Sequence, residues 1–349
     1  MFESFGFETL TAPQAAVYFA LVLGICFGVL AQRTAFCFRR AVVAGPDRRQ
    51  AAGVWALALA VAVMGTQALV AAGLISFVDH RLLAGDVPVL GIVLGGLMFG
   101  AGMVLTRGCI SRLTVLGGGG NLRALSVVIV FAVVAHATLK GVLAPLRVAL
   151  GDLTVGFGAA VDLASLPGGG LVWGAVISLI ALVVALRSGA SIQLLSGAAL
   201  VGLLVPLGWL GTGYILYDDF DPVALESLSF TAPMSEALFY IIASSAVPAG
   251  FGTGLVGGTL LGALAASLAF KSFKWQSFSS PTETGRYTGG AVLMGIGGVL
   301  AGGCTLGAGL AGIPTLSLAA IIALVAIGAG GWATDRALNG KAVGAARTA

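Results

Sequence analysis

Two glycine-rich stretches decide the fold: GGLMFGAGMVLTRGCISRLTVLG (95–117) and GAVLMGIGGVLAGGCTLGAGLAG (290–312). Laid over each other 195 residues apart, they share eight identical positions, among them the pairs Gly108–Cys109 and Gly303–Cys304. In each copy an apolar run of helical character leads into glycines, which break helices, and the cysteine follows at once. We interpret the two stretches as one structural unit that occurs twice in the chain.

The remainder of the chain is as apolar as these two stretches. Of its 349 residues, 58% are hydrophobic and only 9% are charged, and the mean hydropathy is +1.05. A soluble domain carries about 25% charged residues, so the sequence predicts an all-α polytopic membrane protein with about nine transmembrane helices and short re-entrant or broken helices. The spans are expected at 14–31, 51–75, 88–106, 122–146, 169–187, 191–210, 250–270, 289–303 and 313–333, with a half-helix at 236–247.

Charged residues predict how the chain is oriented. The connection 32–49 carries five arginines, whereas 211–236 carries five acidic residues and no basic one. Because positive loops stay in the cytoplasm, we expect the N-terminus outside and the C-terminus in the cytoplasm. Arg81 and Arg147, in presumed outer loops, are exceptions to this pattern. The net charge of +4 is ordinary for a membrane protein and does not indicate nucleic-acid binding.

In this orientation the spans that hold the two Gly-Cys pairs run in opposite directions. The sequence therefore predicts an inverted pseudo-two-fold repeat, with residues 1–187 as the first unit and 188–349 as the second, which ends in a short cytoplasmic tail. Inverted repeats with interrupted helices are typical of transporters, and their substrate site lies near the membrane midplane between the repeats.

Three of the four cysteines follow helix breaks or helix ends: Cys37, Cys109 and Cys304. A thiol is a weak donor with a soft, polarizable sulfur, whereas hard anions are better held by arginine, lysine or backbone N–H groups. There is no CxxC motif and no metal-ligand spacing, so we expect neither a metal nor another cofactor. Thiols without metal geometry favour a substrate that itself contains sulfur. Cys26, inside the first span, is interpreted as a small hydrophobic residue.

Further residues are candidates for the same pathway. We expect Gly108 and Gly303 to provide the breaks and Thr305 to offer a hydroxyl beside Cys304. Arg33 and Arg107 could attract an anion, or they could contact lipid headgroups and set the topology. The second interpretation is favoured for Arg39 and Arg112. His136 and Lys140 lie one helical turn apart inside a span, where ionisable groups are functional candidates, although a lysine there can also snorkel.

The stretches QRTAFCFRRA (32–41), GGLMFGAGMVLTRGCISR (95–112) and GIGGVLAGGCTLGAGLAG (295–312) resemble signature stretches of the YeeE/YedE family of bacterial sulfur transporters. The resemblance covers nearly the whole chain. It implies a pseudo-symmetric helical bundle that narrows to a waist in the inner membrane. It also implies that thiosulfate is passed along Cys37, Cys109 and Cys304 by transient S–H···S hydrogen bonds, and that a cytosolic sulfur carrier of the TusA type is a possible partner.

The leading hypothesis is therefore a thiosulfate importer rather than an enzyme, with membrane lipid as its surroundings. One alternative is a transporter of another small sulfur- or selenium-containing anion, or of a different anion with structural cysteines. Another is a membrane thiol enzyme that carries sulfur covalently. That chemistry usually needs a resolving cysteine close to the reactive one, and the spacing of these cysteines does not indicate a pair.

Overall fold

The computed structural model describes residues 10–78, 80–83, 86–218 and 220–348, and this part of the chain is almost entirely helical. The helices are α1 (Ala12–Thr34), α2 (Phe38–Val42), α3 (Arg48–Ala71), α4 (Val89–Leu105), α5 (Ile110–Gly118), α6 (Leu122–Lys140), α7 (Ala144–Gly151), α8 (Gly169–Leu186), α9 (Ile192–Leu210), α10 (Ala232–Ile242), α11 (Phe251–Ala269), α12 (Pro281–Leu300) and α13 (Leu318–Thr348). Two π-helical segments, Gly211–Ile215 and Thr305–Gly312, interrupt this series.

Short elements connect the helices at one end of the bundle. Strands β1 (Asp86–Val87) and β2 (Val155–Gly156) pair antiparallel, with Asp86 opposite Gly156. Turns of 3-10 helix are Arg81–Leu83, Gly158–Val161, Leu163–Ser165 and Ile313–Thr315.

The prediction of nine membrane spans is confirmed within the described residues. Nine helical stretches are long and apolar enough to cross a bilayer: Ala12–Val42, Arg48–Ala71, Val89–Gly118, Leu122–Lys140, Gly169–Leu186, Ile192–Ile215, Phe251–Ala269, Pro281–Thr315 and Leu318–Asn339. Because their polar groups are satisfied inside the helix, such stretches are stable in hydrocarbon. The chain is a multi-pass membrane protein.

Several predicted boundaries were wrong. The eighth span begins at Pro281 rather than at 289, because Ser280 caps the helix by accepting a hydrogen bond from the backbone N–H of Glu283. The fourth span ends at Lys140 rather than at 146, and the chain then turns into α7. The last helix starts at Leu318, after the turn that contains Pro314, and it continues through the predicted tail.

The half-helix expected at 236–247 exists but is shifted towards the N-terminus. It is α10, which starts with Pro233 in its first turn and ends at Ile242. Proline fits the first turn of a helix, because its missing N–H would have no partner there. The chain then makes turns before α11 begins after Gly250.

Helices α4 and α12 cross antiparallel at glycines from the two repeated stretches. A Cβ at Gly95 would lie 2.8 Å from the carbonyl oxygen of Gly297, and a Cβ at Gly290 would lie 3.0 Å from that of Gly102. At an offset of 195 residues, Gly95 corresponds to Gly290 and Gly102 to Gly297. The two contacts are therefore the same contact seen from either copy, as a two-fold axis between the helices produces.

Other helices of the two copies also pack in corresponding pairs. Helix α13 packs on α4 while α6 packs on α12, and α1 packs on α11 while α9 packs on α3. Small residues allow these close approaches in lipid. The pairing pattern is the one expected of an inverted repeat, while the boundary between 1–187 and 188–349 stays a prediction.

Candidate functional site

Each of the three cysteines follows a residue with left-handed backbone by two positions. These residues are Ala35 (φ 49°) before Cys37, Arg107 (φ 61°) before Cys109 and Gly302 (φ 74°) before Cys304. The left-handed residue ends or follows one helix, and the cysteine is the N-cap of the next, in extended conformation. One local turn is thus built three times, and it places a thiol at the start of a new helical segment each time.

The three turns meet in the interior of the bundle. Cys37, Cys109 and Cys304 are 6%, 1% and 0% exposed and belong to the same buried cluster. The side chain of Cys109 is the central one, because it interacts with those of Cys37 and Thr305, and its charge would be felt at Cys304. The order along the cluster is Cys304, Cys109 and Cys37.

Hydroxyl groups surround the central thiol. The Sγ atom of Cys109 lies 3.4 Å from the Oγ atom of Ser111. On the other side is Thr305, which is fully buried; its side chain interacts with the thiol of Cys109, but its Oγ1 atom has no partner in regular hydrogen-bond geometry among the described residues. An unpaired buried hydroxyl is unfavourable for stability, so its retention beside a thiol favours a role in binding.

A positive charge lies near one end of the thiol cluster. Arg112, in α5, is half-buried, and its guanidinium group donates a hydrogen bond of 3.0 Å to the carbonyl oxygen of Ala31. The same group interacts electrostatically with the sulfur atoms of Cys37 and Cys109. An anion at these thiols would be attracted by Arg112, and because the site is buried, salt screens this attraction only weakly.

The thiol cluster is bounded on its other side by the π-helical segment Thr305–Gly312. Cys304 accepts a hydrogen bond at its sulfur from the backbone N–H of Gly307, at 3.4 Å. Gly307 and Ala311 form part of the wall of a cavity of about 780 Å³, which we call the Arg81 cavity after another residue in its wall. The cavity thus reaches the segment that carries Cys304, while the three thiols themselves are buried.

Of the predicted site residues, the two glycines lie beside the thiols and the two arginines do not. Gly108 and Gly303 lie at the breaks beside the thiols, where a Cβ at Gly303 would come within 2.7 Å of the backbone nitrogen of Ala308. Arg33 and Arg107 are exposed, and the guanidinium of Arg33 stacks on the ring of Phe270 at 3.9 Å. Neither arginine joins the thiol cluster.

The sequence interpretation missed the arginine that does join it. For Arg112 the sequence favours topology and headgroup contact over attraction of an anion. Its position three residues after Cys109 puts it within the first turn of the helix that Cys109 caps, and this spacing is the signal that could have identified it.

The remaining candidates lie apart from the thiols. Cys26 is exposed on α1. His136 forms a hydrogen bond of 2.9 Å with the hydroxyl of Ser235 and stacks on Phe239, so it joins α6 to α10. Among the described residues, no group of three or more His, Cys, Asp or Glu side chains is arranged to hold a metal ion.

Comparison with known proteins shows a consistent likeness. The sequence profile of the family described as Sulphur transport matches residues 33–333. The chain is 27% identical to the thiosulfate transporter TsuA of Escherichia coli (strain K12), over 89% of this chain and 92% of that protein. It is 24% identical to the thiosulfate transporter TsuA of Spirochaeta thermophila, over 90% of this chain and 97% of that protein. The family and both relatives are named for transport and not for catalysis.

Proposed function

Because the chain belongs to the sulphur transport family, we propose that it transports thiosulfate and that it moves the anion inward along its three buried thiols. Two relatives that match over about nine-tenths of the chain are named thiosulfate transporters. The single observation that carries the proposal is the convergence of Cys304, Cys109 and Cys37 at three copies of one turn.

The chemistry of a thiol suits the passage of this anion. Thiosulfate has an exposed sulfur atom that carries negative charge and can accept an S–H hydrogen bond. A thiol is a weak donor, so each bond can be exchanged for the next without a deep energy minimum. Conduction needs sites that are favourable enough to fill and weak enough to empty. Three thiols in series meet both conditions.

Two polar residues, Thr305 and Arg112, help to bind the anion at opposite ends of the series of thiols. Thr305 can donate its free hydroxyl proton to an oxygen of the anion while the sulfur atom contacts Cys109 or Cys304. The positive charge of Arg112 compensates the negative charge of the anion while the anion is at Cys109 or Cys37. Since the thiols are buried, the segment Thr305–Gly312 must move for the anion to pass from the Arg81 cavity.

The proposed direction and surroundings follow from the charges of the chain. Arginines crowd the connection that contains Cys37, which supports a cytoplasmic position for that end and a periplasmic position for the Arg81 cavity. The same charges support an N-terminus outside, and the family resemblance supports the inner membrane of a bacterium. A cytosolic sulfur carrier of the TusA type is the proposed recipient of the imported sulfur, on the strength of the family resemblance alone.

Uptake by purified protein in lipid vesicles tests this proposal. We expect radiolabelled thiosulfate to enter, and unlabelled thiosulfate or selenosulfate to compete, because both expose a soft chalcogen atom. Sulfate, which presents only oxygen, should compete poorly. Equal competition by sulfate would show that the thiols do not recognise sulfur. A persulfide on Cys109 found by mass spectrometry during turnover would instead favour covalent sulfur transfer.

A further inference from the structure

The Arg81 cavity contains two opposite charges that the thiol pathway does not use. Arg81 lies in the turn after α3, and Glu226 lies in the segment between Ile215 and α10. Within the described residues, the ion pairs are Arg40–Asp47 and Arg123–Glu283, so these two side chains share the cavity without touching. Each affects the other electrostatically across the space.

The segment of Glu226 is held in a fixed position. The hydroxyl of Thr212 donates to the carbonyl oxygen of Glu226 at 2.8 Å and accepts from its backbone N–H at 3.1 Å. Glu226 is half-buried, whereas Arg81 is exposed towards the cavity. The backbone of Glu226 is therefore fixed in the wall, and its half-buried side chain is part of the cavity lining.

Two further polar groups, the indole of Trp209 and the hydroxyl of Ser229, lie in the wall of the cavity. The indole nitrogen of Trp209, a residue that is 4% exposed, has no hydrogen-bond acceptor among the described residues. Ser229 lies against Gly307, since a Cβ added at Gly307 would come within 2.6 Å of the Ser229 hydroxyl oxygen. A buried N–H donor and a hydroxyl next to the Cys304 segment are groups that an anion can use.

The charge of Glu226 can change in the physiological range. Burial and, to a smaller extent, the negative charge of Glu236 raise the pKa of Glu226 to about 7, although the positive charge of Arg81 opposes both effects. The other titratable groups in the wall are His80 and Tyr217. Burial lowers the pKa of His80 to about 4, with Arg81 adding to the effect, so this imidazole is neutral. The guanidinium of Arg81 is protonated throughout this pH range and carries a positive charge.

We propose that the Arg81 cavity is the first binding site of the transported anion. Arg81 attracts the negative charge of the anion, and Glu226 allows the anion to bind only when its own carboxyl group is protonated. This inference rests on the proposed transport of thiosulfate. An ionised carboxylate facing a dianion repels it, whereas a protonated carboxyl group donates a hydrogen bond to it. At alkaline pH the ionised carboxylate of Glu226 therefore weakens binding of the anion in the Arg81 cavity.

The sign of the pH dependence follows from this arrangement. Below about pH 7, Glu226 is protonated and the site binds; above it, the ionised carboxylate competes with the anion for Arg81. If only the protonated form binds, the apparent KM rises about tenfold between about pH 6 and about pH 8. Vmax changes less, because later steps at the thiols do not involve Glu226.

The test measures thiosulfate uptake in lipid vesicles with the same pH on both sides, so that no proton gradient contributes. Four proteins are compared: the unaltered chain, Glu226→Gln, Arg81→Gln and Asp221→Asn. Asp221 is an exposed acid of the same segment and serves as the matched control. Thiosulfate quenching of tryptophan fluorescence in detergent, at both pH values, reports binding separately from transport.

We expect Glu226→Gln to have a low KM at both pH values, Arg81→Gln to have a high KM at both, and Asp221→Asn to retain the pH dependence. The inference is overturned if Glu226→Gln keeps the full pH dependence of the unaltered chain, or if Arg81→Gln binds normally. If the unaltered, folded chain takes up no thiosulfate at either pH, the proposed function itself fails, and this outcome is distinct from the other two.

Discussion

Arg107 occupies a backbone position that glycine occupies in the second copy of the repeat. Its φ angle is 61°, and that of Gly302, which corresponds to it at the offset of 195 residues, is 74°. A side chain in this region costs on the order of 1 kcal/mol. Strain of this kind persists where the surrounding structure requires the turn, and here the turn places the thiol of Cys109.

We expect Arg107→Gly to raise the free energy of unfolding by up to about 1 kcal/mol, because glycine adopts a positive φ without strain. Thermal unfolding in detergent measures the effect. Arg33→Gly is the matched control, since it also removes an exposed arginine but places glycine within helix α1, where it is destabilising. Equal destabilisation by both changes would contradict the assignment of strain to Arg107.

The hydroxyl group of Thr305 is expected to contribute to transport but not to stability. Thr305→Val removes a buried hydroxyl that has no partner, so we expect unchanged or slightly higher thermal stability. Uptake should fall about fivefold, which corresponds to one hydrogen bond of about 1 kcal/mol to the anion. Thr305→Ser should restore uptake.

Thr114→Val provides the comparison. The Thr114 hydroxyl is buried but donates to the carbonyl oxygen of Ile110 at 2.9 Å, so its removal alters a local bond and not the thiol cluster. Normal uptake by Thr305→Val would show that its hydroxyl does not contact the anion.

At the scale of elements, the crossing of α4 and α12 holds the two broken helices together. Glycines at this crossing bring the backbones into contact, and van der Waals packing of this kind drives helix association in lipid. The repeat could be predicted from the sequence, because the same glycines occur in both copies. Which glycines face the other helix and which face outward could not be predicted, since one sequence carries no information about rotation around a helix axis.

Gly297→Ala should be destabilising by about 1–3 kcal/mol, because its Cβ would lie 2.5 Å from the carbonyl oxygen of Gly95 and the helices would have to separate. Gly289→Ala in the same helix meets no atom within 4 Å and should be neutral or slightly stabilising. The two thermal midpoints measured side by side test the crossing. Similar midpoints for both variants would mean that α4 and α12 do not pack here.

At the scale of the whole molecule, the number of spans could be predicted from apolar runs because hydrocarbon demands long, continuous helices. Boundaries were less predictable, since caps and turns such as those at Ser280 and Pro314 depend on local hydrogen bonds. The inverted repeat predicts that Cys109 and Cys304 lie close together, whereas Cys37 has no counterpart in the second copy and its place beside them could not be predicted from the repeat.

The polar groups around the pathway were predicted less well. Arg33 and Arg107 were candidates for attracting the anion, but both are exposed, and at Arg107 the backbone is left-handed. The Arg81 cavity depends on two loops that are far apart in sequence. Arg81 is an exception to the charge rule for outer loops, and the structure places this exceptional charge in the wall of the cavity.

The most direct test of the central claim is uptake of labelled thiosulfate in a bacterium that lacks its own thiosulfate importers, with the unaltered chain compared with Cys109→Ala and Cys26→Ala. Both variants remove one thiol, but Cys26 is exposed and apart from the cluster. Loss of a hydrogen bond to an anion costs about 1.5–3 kcal/mol. The account predicts about a tenfold loss of uptake or more for Cys109→Ala at equal membrane expression, and normal uptake for Cys26→Ala. Uptake by Cys109→Ala at the rate of the unaltered chain would contradict a thiol pathway.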